Sequence, residues 1–562
     1  MITMMIPFSR ILFRRALWSS KNLICRRAIS TAHLDPVIQD FTSAIAAKQP
    51  AFSLQPTHVR VLYQPAEFYS LLLEMIKRAE HRIFLSSLYI GSEESEILDV
   101  ISHELSVKPQ LHAYFHLDLH RSTRPGASST AKLLLPLLTT FPSRVHVSMF
   151  RSPSLRGLMA KIVPPRFNEG WGTWHAKIYG VDNDVIISGA NLNKSYFTNR
   201  QDRYLHFNDQ PLFAQYCYDF LQTFAKFSFR LHSTSDTTVI SPHSFVQDDY
   251  ILQWLDPQIH PHHIHEKVRE ALTEFQSSRR VASQIQLDTN EDSFKSKQRV
   301  FIFPIIQAGQ FAIREEETVL QTLFRRVNAA AKQGSRKRPF FELTSGYFSL
   351  YQPYQKIILG SRSVDCRIVA ASPKANGFFG SKGISGRIPE GYTHFEKRFM
   401  RAVGRAGRLW KEAASGNFKG IQLWEWDKPA WTYHAKGIWL SSSSKALPIL
   451  TLFGSTNLNS RSAHLDTELS FVMVLPSHQM DAEQDAHKSV DDNPATAYSP
   501  QDNLSSETKA STEASQDTAL NLRERLQHEI DNIRMNASTW KGARRDVRFS
   551  TKLMLWFLKG ML

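Results

Sequence analysis

The sequence predicts an α/β protein built as two duplicated α/β/α sandwich halves that form one pseudo-dimeric site. Three observations carry that reading. The pentapeptide "TWHAK" at 173–177 returns as "TYHAK" at 432–436, 259 positions later. A second landmark, Tyr89 in "SSLYI" against Tyr347 in "TSGYF", repeats at an offset of 258. Helical and strand-like stretches also alternate through both copies, as in layered α/β domains. Two landmarks at nearly one offset indicate an internal duplication rather than a chance pentapeptide. At 562 residues the chain also exceeds the size at which a single hydrophobic core stops growing.

Residues 1–34 carry Arg10, Arg14, Arg15, Lys21, Arg26 and Arg27, no acid, several serines and apolar residues at helical spacing. That is the composition of a mitochondrial transit peptide, to be cleaved and excluded from the fold; a basic tail is the alternative. The far end, 541–562, adds six basic residues against Asp546, so the two ends hold eleven of the sixteen net positive charges. The body between them is only mildly basic, which does not demand a groove for duplex phosphates. Three cysteines, Cys25, Cys217 and Cys366, support neither a disulfide framework nor a cysteine zinc site. No apolar run reaches the roughly 20 residues that span a bilayer, so any membrane contact is expected to be peripheral.

The first half is expected over 35–245. It opens with an amphipathic helix followed by a strand at 67–91 and continues through "LHAYFHLDL", a probable strand. Next, "GASSTAKLL" (126–134) lacks the spacing of a phosphate loop and reads as a helix start. A linker with a helix is expected at 246–294, and the second half at 295–477, where 318–350 repeats the opening helix and strand. Residues 478–520, rich in Ser, Asp, Gln and Thr, are expected to be disordered. Helices over 521–562 close the chain, and the basic and apolar "RRDVRFSTKLMLWFLKGML" suits either an interfacial helix or one packed on the body.

In each half an apolar strand leaves the histidine, turns, and a second strand ends in "ANLN" or "TNLN". In H-x-K, residues i and i+2 of a strand point to the same side, so His175 and Lys177, and likewise His434 and Lys436, can act together. An imidazole can attack or protonate a phosphorus centre while the ammonium neutralises phosphoryl oxygens. Asn191 and Asn457 offer amide donors to the same oxygens. A histidine that bonds phosphorus also needs its other nitrogen held by an acceptor. Eleven residues beyond the asparagines stand Asp202 and Glu468, the candidate orienters, with Asp466 as the alternative in the second half.

These motifs, His175, Lys177 and Asp182 with "GANLN", and His434 and Lys436 with "GSTNLN", resemble the phospholipase D superfamily. Its two H-x-K-x4-D motifs form one site at the interface of phospholipase D-like halves. With "FTNRQDRY" and the basic leader, the chain looks like the mitochondrial phosphatidylglycerophosphate synthase branch. One departure stands out: the position equivalent to Asp182 is Ser441, and no acid occurs between Asp427 and Asp466.

The resemblance implies transfer of a phosphatidyl group from CDP-diacylglycerol to glycerol 3-phosphate through a phosphatidyl-histidine. It also implies work on the matrix side of the mitochondrial inner membrane, as a peripheral protein. In that reading the catalytic set is His175, Lys177, Asp182, His434 and Lys436. His175 is favoured as nucleophile because its motif is complete. Arg121, Arg124 and Arg200 are candidates to bind the dianionic acceptor. The mechanism requires no cofactor and leaves a divalent cation open; no metal ligand set is assigned and no nucleic acid is expected. Two rival readings remain: a mitochondrial phosphodiesterase of the same scaffold acting on nucleic acid or phospholipid, and a non-catalytic membrane scaffold.

Overall fold

In the computed structural model the described residues are 31–557, except 94, 127–128, 157–162, 164, 235–240, 248, 290–298, 334–337, 413–417 and 478–505. Most of the expected transit peptide and of the insertion at 478–520 therefore lies outside the described residues.

The chain forms two ten-stranded sheets. At the centre of the first, strands follow the order 145–150, 112–118, 82–86, 178–181, 184–188, 204–207 and 59–62. The second runs 421–426, 365–371, 340–345, 436–441, 448–454, 468–474 and 300–308. Pairing senses match strand for strand. The first three of each set are parallel, and the remainder join antiparallel. The duplication read from ten residues is thus a duplication of whole sheets.

Local sequence explains the elements. The helix Pro65–Arg78 begins on proline, carries Glu67 in its first turn and Lys77 and Arg78 in its last, and buries Phe68, Leu72 and Met75. Its counterpart Glu315–Gln333 opens on three glutamates and buries Leu320, Leu323 and Val327. The Ser129 side chain caps the helix Thr130–Thr140, the start read from "GASSTAKLL". Strand Val300–Ala308 is buried at every position, as a strand covered on both faces must be.

The sheets do not share the limits expected for the halves. Strand Phe52–Leu54 pairs with 300–302 of the second sheet, and Phe41 and Ile45 of the helix Pro36–Ala46 belong to the second core. Conversely, Phe245–Val246 and Tyr250–Trp254 extend the first sheet. An amphipathic segment joins whichever sheet offers an unpaired edge and an apolar face, and composition does not mark that choice. The C-terminal helix, Ser506–Met535, starts inside the stretch expected to be disordered, and Ala537–Thr539 becomes an edge strand of the second sheet.

A continuous core joins the halves. Phe207 stacks on Phe453 at 5.9 Å and Phe213 meets Phe471 edge-on at 5.2 Å, so rings of the first sheet and its helix pack against the second sheet. The helix Ser506–Met535 closes the seam, burying Leu522, Leu526, Ile530 and Ile533. Its Glu529 pairs with the buried Arg203 of the first half at 2.8 Å, and Arg203 also donates to Leu452 O of the second half at 2.9 Å.

Candidate active site

Both histidines lie on short straps that reach into the other half. Trp174 forms a parallel bridge with Thr467; His175 N donates to Thr467 O and Thr467 N to Thr173 O, each at 2.9 Å. The mirror strap pairs Thr432–Tyr433 with Arg200–Gln201, and His434 N donates to Gln201 O at 2.8 Å. The H-x-K pair therefore sits just before its strand in the first half, and Lys436 opens the strand in the second.

The straps cross the orienting carboxylates. His175 Nδ1 lies 2.8 Å from Glu468 of the second half, and His434 Nδ1 lies 2.6 Å from Asp202 of the first. A carboxylate only accepts, so each imidazole holds its proton on Nδ1 and leaves the Nε2 lone pair for chemistry. The alternative, Asp466, instead accepts from Thr173 N at 2.9 Å and from Arg461 Nε at 2.8 Å, fixing the strap rather than the imidazole. Gly189, first residue of "GANLN", admits the crossing: a Cβ there would stand 2.6 Å from Asp202 Oδ1 and 2.7 Å from Lys436 Nζ.

Burial sets the charge state of the site. It pushes the His175 imidazole below its ordinary value although Glu468 opposes the shift. His434 falls further, because Lys436, Arg200 and Lys177 add their charges to the desolvation. Both rings are therefore neutral near pH 7. Burial also lowers Lys177 to about 7, with Lys436 adding repulsion against Glu468 and Asp202. Each lysine donates to the carbonyl of its own motif histidine at 2.6 Å, and Lys436 Nζ stands 2.8 Å from His434 Nδ1 and 3.6 Å from Asp202. The asparagine turn of the first half meets the motif of the second, since Gly189 lies against Lys436 Nζ and the Tyr196 hydroxyl stands between Asn191 and His434 Nε2.

Asp182 is elsewhere. At the hairpin beyond strand Ile178–Val181, with φ of +49°, its carboxylate accepts from the amides of Glu80, His81 and Arg82 at 2.7, 2.9 and 2.9 Å. It clamps the hairpin to the neighbouring strand and touches neither imidazole. In the second half Ser441 pairs with Phe340, so Pro339 takes the place of His81 and has no amide hydrogen to give. The missing acid and the missing donor go together.

Asn191 Oδ1 accepts from Leu88 N at 3.3 Å and its Nδ2 donates to the Tyr196 hydroxyl at 3.1 Å. Asn457 Oδ1 is buried without a donor. Of the three arginines, Arg124 pairs with Glu169, and Arg121 stacks on Tyr89 at 4.1 Å, 3.8 Å from the same carboxylate. Arg200 stacks on Tyr196 at 4.4 Å and donates to Thr432 Oγ1 at 2.9 Å. The sequence did not single out Tyr196 or Arg461, and marked Tyr347 only as a landmark of the repeat. The Tyr196 hydroxyl is 3.4 Å from His434 Nε2, and Tyr347 meets the same ring edge-on at 5.4 Å. The signal was available: a one-turn helix follows each asparagine turn, bringing Tyr196 and Arg461, five and four residues on, back over the site. Trp174 and Trp426, flanking the motifs, are core residues.

His175, Asp466 and Glu468 bring three metal-ligating atoms within 4.8 Å of one another. Arg461 donates to Asp466, and His175 and Ser462 to Glu468, so protein donors occupy the oxygens such an ion would need.

Relatives are extensive. The chain is 36% identical over 454 residues to the mitochondrial CDP-diacylglycerol–glycerol-3-phosphate 3-phosphatidyltransferase of Homo sapiens, covering 76% of this chain and 75% of that one. To its counterpart in Gallus gallus it is 35% identical over 456 residues, 76% of each. To that of Schizosaccharomyces pombe it is 32% identical over 470 residues, 79% of this chain and 90% of the other. Among solved structures, phosphatidylserine synthase of Haemophilus influenzae superposes with a TM-score of 0.58 at 18% identity, covering 92% of this chain and 96% of the other, which establishes a common fold. No protein-family model matches the chain.

Proposed function

The chain belongs to the CDP-diacylglycerol–glycerol-3-phosphate 3-phosphatidyltransferase family, and on that footing we propose a two-step transfer through a phosphatidyl-histidine. The enzyme is a phosphatidyltransferase of phospholipid synthesis. Its substrates are CDP-diacylglycerol and sn-glycerol 3-phosphate, and its products phosphatidylglycerophosphate and CMP. That reaction commits lipid toward phosphatidylglycerol and cardiolipin, on the matrix side of the mitochondrial inner membrane.

The observation that carries the mechanism is the crossed pair of buried imidazole–carboxylate contacts, which leaves two neutral Nε2 atoms in one site. His175 Nε2 attacks the phosphorus that bears diacylglycerol, and the bond to CMP breaks. Glu468, whose carboxyl stays below its ordinary value despite its burial, stabilises the positive charge that the ring acquires. CMP leaves as a phosphate monoester whose second pKa is about 6, so its departure needs little protonation. The second step is more demanding, since an alcohol must lose its proton. His434 is the base: neutral, with its Nδ1 held by Asp202, its Nε2 takes the proton of the primary hydroxyl, the oxygen attacks phosphorus, and the P–N bond breaks. Lys177 and Lys436 neutralise the phosphoryl oxygens, and Arg121, Arg200 and Arg461 are the cations for the acceptor phosphate.

The test follows CMP release and phosphatidylglycerophosphate with and without glycerol 3-phosphate. Wild type is expected to need the acceptor, and His175→Ala to release no CMP. His434→Ala is expected to give at most a single-turnover burst of CMP and an acid-labile, protein-linked phosphatidyl group. Retention of that adduct by His175→Ala would reverse the two roles, and cleavage of a DNA phosphodiester without CMP release would replace the substrate.

A further inference from the structure

We propose that the segment 372–387 and the C-terminal helix Phe549–Phe557 together form the face by which this enzyme lies on an anionic bilayer, delivering lipid to the His434 side of the site. The proposal rests on the phosphatidyltransfer reading, whose donor is a membrane lipid.

Residues of helix Phe549–Phe557 divide cleanly. Thr551 and Leu555 are buried, Leu555 against Gly391, where an added Cβ would stand 3.0 Å from its Cδ2. Phe549, Leu553 and Trp556 recur at i, i+4 and i+7, hence on one face, and are 79%, 47% and 69% exposed. Arg387 donates to Ser550 Oγ at 2.5 Å, which brings the turn Gly383–Arg387 beside the start of this helix. In that segment Phe379 and Ile384 are 58% and 55% exposed. Five large apolar side chains thus stand out on neighbouring elements.

Charge complements them. Lys374, Lys382, Arg398, Arg401 and Lys552 are exposed around the patch. The acids of 372–405 are Glu390, which is paired with Arg548, and Glu396, which is buried. Apolar side chains rimmed by lysine and arginine that pair with no acid among the described residues are the composition of a surface that sinks to the headgroup boundary of anionic lipid. The face also connects to the chemistry. Phe378, next to Phe379, lies 6.1 Å from Tyr347, and Tyr347 lies 5.4 Å from His434. Tyr392, from the helix against which the C-terminal helix packs, is 5.6 Å from Tyr347. A liponucleotide whose acyl chains stay in the bilayer has only this short aromatic wall to pass. Among the described residues no helix is long and apolar enough to cross a membrane, so this contact lies in the interface.

The test is flotation of the full chain with phosphatidylcholine vesicles, with and without phosphatidylglycerol, alongside turnover of CDP-diacylglycerol in vesicles and in detergent micelles. Phe549→Ser with Trp556→Ser, and separately Phe379→Ser with Ile384→Ser, are expected to lower vesicle partitioning by roughly tenfold per aromatic removed while micellar turnover stays at the wild-type level. Lys382→Glu with Lys552→Glu should abolish the preference for phosphatidylglycerol. Wild-type flotation and vesicle turnover in all three variants would overturn the proposal. So would a wild-type dimer that the serine variants dissociate, which would give this face to a second copy. Failure of wild type to act on micellar substrate would instead strike the phosphatidyltransfer reading and leave the flotation result standing.

Discussion

Each imidazole draws its reactivity from a carboxylate that is distant in sequence. Glu468→Gln and Asp202→Asn keep shape and remove the negative charge that stabilises the ring when it bonds phosphorus or takes a proton. Each is expected to lower kcat by about 10²–10⁴, with KM for the donor little changed and the acid limb of the pH profile displaced. Lys177 adds a pH limit of its own. Its ammonium is the form that neutralises phosphoryl oxygen, and burial brings its pKa to about 7. Charge is therefore present below that value and lost above it, so kcat/KM, which reports the free enzyme, should fall as pH rises through about 7. Lys177→Arg should move that alkaline limb upward, because a guanidinium keeps its proton. A profile flat to pH 9 would show that Lys177 stays charged or is not needed.

Among the elements, the hairpin that ends in Asp182 separates structural from chemical roles. Three backbone amides depend on one carboxylate, so Asp182→Ala should cost about 1–3 kcal/mol of stability, read as a lowered Tm. Turnover per folded molecule should be unchanged at a temperature where the variant is native. Ser441→Asp should stabilise less than Asp182 does, since Pro339 supplies no donor where His81 does in the first half. The same comparison explains why an incomplete second motif is compatible with a complete site: the acid was never at the imidazole. It also removes the completeness of the first motif as a reason to prefer His175 as nucleophile; that preference now rests on the charge around each ring.

For the whole molecule, the shared core and the helix Ser506–Met535 make the halves one folding unit. Removing Glu529 leaves the Arg203 guanidinium buried at the junction of both sheets without its carboxylate. Glu529→Ala is therefore expected to cost about 3–5 kcal/mol and to lower the midpoint of one common transition, not of one half. Calorimetry resolving two transitions, with only one moved, would contradict the single unit.

The sequence by itself determined the duplication, the α/β class, the two H-x-K pairs, the asparagine turns and the acids eleven residues beyond them. All of these are written in local spacing, which strand periodicity and turn chemistry convert directly into geometry. What only the tertiary structure decided is which carboxylate serves which histidine, that Asp182 stands apart from both, that residues 52–54 and 537–539 complete the second sheet, and that Tyr196, Tyr347 and Arg461 line the site. Those depend on contacts between positions hundreds of residues apart, made because each half lends the other a strap. Spacing along one chain records what a segment can form; the edge or charge it finally meets is set by packing between segments that carry no mark of each other.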